Sequence, residues 1–130
     1  MPYHFEFDSE QRILLLAYEG DIRGREIEAA NQKMAEHVVR LKPVGGLADL
    51  TAIRTFNVTA EDMRRVALQP SPYPPETPRF IIAPTDHLFG MARMYEIIAD
   101  RPPEKLKVVR SWQAALAELG VKELNLKRIE

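Results

Sequence analysis

The amino-acid sequence predicts an α/β fold: a mixed five-stranded sheet, opened by an antiparallel hairpin and continued by parallel strands, with four helices. Three observations carry that expectation. Tyr3 to Asp8 alternates aromatic and polar side chains, the two-residue period of a strand with one wet face. Residues 13–18, 79–83 and 106–109 are short apolar runs, as strands covered on both faces require. Between these runs, apolar residues recur at helical spacing, so strand and helix alternate along the chain.

Each element follows in order. Tyr3, Phe5 and Phe7 share one side of the first strand, with His4, Glu6 and Asp8 on the other. Ser9 to Arg12 is polar enough to turn, and residues 13–18 return as the antiparallel partner. Gly20 ends that strand. The spacing of Ile27, Ala30, Met34, Val38 and Leu41 predicts a helix over about 25–41, and Lys42-Pro43-Val44-Gly45-Gly46 stops it. Leu47-Ala48-Asp49-Leu50 is a short third strand. Thr59-Ala60-Glu61-Asp62 begins a second helix, with acids in the first turn where the helix dipole favours them; Met63, Val66 and Ala67 form its inner side. Five of the nine residues from Pro70 to Pro78 are proline, so neither a helix nor a central strand crosses this segment. It reads as a stiff loop.

Residues 79–83 make the fourth strand, and Thr85 or Asp86 caps a third helix reaching about Ala99. Arg101-Pro102-Pro103 breaks the chain before the fifth strand at 106–109. Ser111 caps the last helix, with Trp112, Ala115, Leu116 and Leu119 inward and Gly120 at its end. The tail, 122–130, places Leu124, Leu126 and Ile129 at mixed spacing and receives no element. Right-handed crossovers make the strands after the hairpin parallel. A length of 130 residues suits one domain, spanning 1–130.

Composition narrows the function classes. Basic residues number 18 and acidic residues 19, and the densest basic pairs, Arg64-Arg65 and Lys127-Arg128, are flanked by acids. A nucleic-acid partner is not expected, because phosphate neutralisation needs a basic face. With no cysteine, disulfides and thiolate chemistry are excluded, and a reducing, cytoplasmic setting is expected. The start lacks the pattern of a signal peptide, and the longest apolar run is too short for a bilayer, so no membrane insertion is expected. His4, His37 and His87 show no metal-ligand spacing, and no phosphate-binding glycine loop occurs; neither metal nor cofactor is expected.

Several phrases resemble the STAS-like domains, in the branch called SpoIIAA-like: the hairpin followed by Gly20, the strand ending Ala48-Asp49-Leu50, the segment from Arg79 to Asp86, and Phe89-Gly90-Met91-Ala92-Arg93-Met94. The likeness covers residues 3–121. It implies a non-enzymatic regulatory module that binds a protein partner. Members that antagonise anti-sigma factors carry a phosphorylatable serine at the start of the second helix, after an aspartate. On that pattern Asn57 takes the aspartate's place and Val58 the serine's. Valine accepts no phosphoryl group, which leaves Thr59, one position later, as the one candidate acceptor. As a plain N-cap Thr59 instead satisfies a free backbone N–H.

Open α/β sheets place ligands beyond the carboxyl ends of their strands, near Asp21, Thr51, Asn57, Thr85, Asp86 and His87 here. Capping and solvent exposure are the bland account of these residues. The third helix is apolar nearly all round; Phe89, Met94 and Ile97 are left over once the sheet is packed. A second subunit or the proline loop would cover them, and a homodimer through this helix is expected. A partner surface comprising Asp21, Asn57, Asp86, His87, Phe89, Met94 and Ile97 follows. Two alternatives stand beside the regulatory module. One is a carrier of a small apolar ligand or lipid in a pocket between the third helix and the proline loop. The other is a weak enzyme with His87 as base and Asp21 or Asp86 assisting.

Overall fold

A computed structural model describes residues 2–130. The elements run β1 (Tyr3–Asp8), β2 (Ile13–Arg23), α1 (Gly24–Leu41), β3 (Gly45–Asn57), α2 (Ala60–Ala67), β4 (Arg79–Ile82), α3 (Asp86–Ala99), β5 (Leu106–Val109), α4 (Trp112–Leu119) and β6 (Lys127–Ile129). The strands form one mixed sheet in the order β5-β4-β3-β2-β1-β6. Strands β2 to β5 are parallel, and β1 pairs antiparallel with both β2 and β6. The α/β class, the hairpin and the four helices agree with the sequence reading. The sheet has six strands rather than five.

The extra strand is the tail. Three residues carry too little periodicity to announce a strand, and β6 is instead held by distant contacts. Asp8 accepts hydrogen bonds from the N–H groups of Gln11 (2.9 Å), Glu10 (3.0 Å) and Asn125 (2.8 Å), tying the hairpin turn to the tail. Those donors, led by the Gln11 and Asn125 N–H groups, hold the Asp8 carboxyl below the usual carboxylate range. The Gln11 side chain adds a bond to the Glu123 carbonyl (2.7 Å). Ile129 then lies opposite Phe5 in the sheet.

Strands β2 and β3 are longer than expected. Gly20 does not end β2: it adopts a left-handed conformation (φ 76°) at a register shift between Gly20 and Asp21, where the strand bulges and continues. Within β3 only Gly46 to Asp49 pair with β4, so in the sheet the far half of β3 is held by β2 alone. Gly45 and Gly46 also have another role than expected. Helix α1 ends with Lys42 in a left-handed conformation (φ 50°), and both glycines begin β3.

The two faces of the sheet are covered unequally. Leu14, Leu16 and Tyr18 pack with Ile27 and Met34 of α1, Met63 and Val66 of α2, and Leu88, Ala92 and Tyr95 of α3. On the other face Ile13, Leu15, Leu47, Phe80 and Val109 meet Ala115 of α4, with Trp112, Leu124 and Leu126 at the margin. Trp112 donates its indole N–H to Asp49 (3.0 Å), pinning α4 to β3. The three-helix face is the thicker layer. It contains the site.

Candidate functional site

Strand β4 begins with Arg79 directly after Pro78. Phe80 and Ile82 point to the α4 face, so the alternation of the strand turns Arg79 and Ile81 towards the three helices. There the Arg79 side chain is buried, with 8 % of the residue exposed. Three tyrosines converge around it from different elements. Tyr18 comes from β2, Tyr95 from α3, and Tyr73 from the proline loop between α2 and β4.

The loop is thus more than a stiff connection. Pro72 and Pro74 restrict the backbone on both sides of Tyr73, whose side chain is inserted into the core and 4 % exposed. Gly46 makes room for it. A Cβ at that position would stand 2.2 Å from the Tyr73 hydroxyl oxygen and 2.5 Å from Cζ, so any larger residue displaces the phenol.

The Arg79 guanidinium carbon lies 5.6 Å from the Tyr73 ring centre and 5.2 Å from that of Tyr95. One terminal nitrogen donates a hydrogen bond to the Tyr95 hydroxyl. Its Nε and the Tyr73 hydroxyl are both buried without a hydrogen-bond partner. Among the described residues Arg79 forms no ion pair. Burial pushes the Tyr18 and Tyr73 phenols well above the usual tyrosine range, so neither supplies a counter-charge.

These groups border a cavity of about 70 Å³ between the sheet and α1, α2 and α3. Leu16, Met34, Met63, Val66 and Ala92 give it apolar walls, and Asn31 is the other polar side chain on its lining. A guanidinium cannot shed its proton inside a protein, so burial cannot neutralise it. Desolvating such an ion costs several kcal/mol, against about 0.5–2 kcal/mol returned by each cation–π contact. The site therefore holds a cation whose nearest compensation is aromatic, beside open space. That arrangement suits the capture of an anion with an apolar body.

The residues singled out from sequence lie elsewhere. Asp21 is exposed and pairs with Arg54 (2.7 Å) and Thr55 (2.6 Å) across β2 and β3, which holds its carboxyl below the usual range. Asn57 is exposed at the end of β3, and Asp86 pairs with Arg110 (2.9 Å). His87 is exposed, with its ring edge-on to Phe56 at 6.1 Å and no carboxylate bonded to it. No hydrogen bond joins any two of Asp21, Asn57, Asp86 and His87 among the described residues.

Thr59 caps α2: its hydroxyl accepts the Asp62 N–H (3.0 Å), and the Asp62 carboxylate accepts the Thr59 N–H (3.0 Å). Val58 beside it is a core residue, 6 % exposed. On α3, Phe89 packs beneath the Arg110 guanidinium (4.1 Å to the ring centre), and Met94 packs against the core. Helices α2 and α3 pack against each other, and Ile97 stays 65 % exposed.

Arg79, Tyr18, Tyr73 and Tyr95 were not singled out from the sequence. Two signals were available: an arginine heading an otherwise apolar strand, and an aromatic residue set among prolines. The chain matches no protein-family model and no curated protein. No helix among the described residues is long and apolar enough to cross a membrane.

Proposed function

We propose that this domain is a non-enzymatic, ligand-binding regulatory module of STAS-like kinship, whose cavity beside Arg79 receives a small, largely apolar molecule. The observation that carries this reading is the buried guanidinium without an ionic partner at the edge of an apolar cavity. Binding sites of this kind combine apolar walls with a few placed polar groups. The volume of about 70 Å³ is under half that of the ~150 Å³ apolar void that takes up benzene, so the ligand is small. The sequence likeness to STAS-like domains supports the regulatory half of the reading. His87 has no part in it, since it lacks an orienting partner.

A fragment screen read by methyl NMR tests the proposal. Signals from Met34 of α1 and from Met63 and Val66 of α2, which line the cavity from two helices, are expected to shift together at one ligand per chain. If fragments move only surface signals such as those of Val39, Leu68 and Ile97, the proposal fails.

A further inference from the structure

We propose that the ligand is a small aliphatic monocarboxylate, its carboxylate seated on Arg79 and its tail among the methyl groups of α1 and α2. This rests on the cavity being a binding site, as proposed above. The headgroup follows from charge. Arg79 is a cation more than nine-tenths buried, with its Nε unpartnered, and it forms no ion pair among the described residues. A planar fork of N–H donors matches the two oxygens of a carboxylate.

The surroundings complete the match. The Tyr73 hydroxyl is buried and unpartnered, so its proton is free for an anionic oxygen. The Tyr95 hydroxyl accepts from Arg79, which leaves its own proton to donate in turn. Tyr18 brings a third phenol to the same lining, and burial keeps it protonated. Every polar group closest to the guanidinium is thus a neutral donor rather than a competing anion.

Stoichiometry of charge selects the class. Arg79 is the one cationic side chain on the lining, so a singly charged head is balanced and a phosphate dianion is not. Apart from Asn31, the rest of the wall is apolar, Leu16, Met34, Met63, Val66 and Ala92 included, which favours a hydrocarbon tail over a hydroxylated one. The cavity volume limits that tail to one or two carbons.

Calorimetric titration of the whole chain with acetate and propionate, each against its amide, reads the charge directly because acid and amide share a shape. The acids are expected to bind roughly 10- to 100-fold more tightly, the difference between charged and neutral hydrogen bonding. Arg79→Met is expected to erase that preference, and Tyr73→Phe to weaken the acids alone. Amides binding as well as the acids would overturn the monocarboxylate while leaving the cavity as a binding site. The same holds if a folded Arg79→Met variant keeps the preference for the acids. If neither acid nor amide binds, while the methyl screen still finds cavity ligands, the monocarboxylate falls alone; if that screen is also empty, both readings fall. Should Arg79→Met not fold, the acid–amide comparison on the unaltered chain still decides.

Discussion

Tyr73→Ala is expected to lower the unfolding free energy by about 3–5 kcal/mol, the range for emptying a buried aromatic site. Tyr73 is the large apolar side chain that the proline loop commits to the core, and its ring covers one side of Arg79. Truncation enlarges a cavity that already exists and exposes the guanidinium to it. For a domain stable by about 5–15 kcal/mol, the loss is a large share of the total. Tyr73→Phe should behave oppositely. The hydroxyl has no partner, so its removal is expected to be close to neutral or slightly stabilising. Urea unfolding of both variants checks the pair. A loss under about 1 kcal/mol for the alanine variant would mean that the loop is not anchored by this ring.

Gly46→Ala is expected to destabilise by about 1–3 kcal/mol through overpacking. The added carbon meets the Tyr73 hydroxyl oxygen at 2.2 Å, Cζ at 2.5 Å and Cε1 at 3.0 Å, which are atoms of a rigid ring. The neighbouring glycine makes a useful contrast. A Cβ at Gly45 would meet the terminal methyls of Ile13 and Leu119 at 3.0 Å, which can swing aside, so Gly45→Ala should be milder. Combining Gly46→Ala with Tyr73→Ala is expected to cost clearly less than the sum, because the second change removes the ring that the first strikes. Additive losses in the same unfolding assay would show that the two sites do not share this contact.

The class of the fold was legible because its signals are local. A two-residue period marked β1, apolar runs marked β2, β4 and β5, and capping residues marked three helix starts, at Thr59, at Thr85 or Asp86, and at Ser111; Thr59, Thr85 and Ser111 cap in the structure. What escaped depends on partners far apart in the chain. Strand β6 is three residues whose pairing is fixed by Asp8 and Phe5, more than a hundred residues earlier. Gly20 looked like a strand end, yet a left-handed glycine equally serves a bulge inside a longer strand.

The candidate site was hidden for the same reason. Tyr18, Tyr73, Arg79 and Tyr95 come from β2, a loop, β4 and α3, and nothing in their spacing says that they meet. The general rule for open α/β sheets directed attention to strand carboxyl ends, towards Asp21, Asn57 and Asp86. Arg79 instead opens its strand and turns beneath the helices. Phe89 and Met94 remain half-buried on α3, with the Arg110 guanidinium over the Phe89 ring. The pocket expected between the third helix and the proline loop comes nearest to the structure, since Ala92, Tyr95 and Tyr73 line the cavity.

On the proposed reading, Arg79 is kept buried and without an ionic partner for a ligand rather than for the fold. Comparing the unfolding free energies of the unaltered chain and Arg79→Met, both free of ligand, tests it most directly. A group held for binding should be dispensable to folding, because an apolar side chain of similar length removes an uncompensated buried charge. The expected result is a variant at least as stable as the parent. A loss of about 3 kcal/mol or more would contradict the claim and make Arg79 a structural cation held in place by its tyrosines.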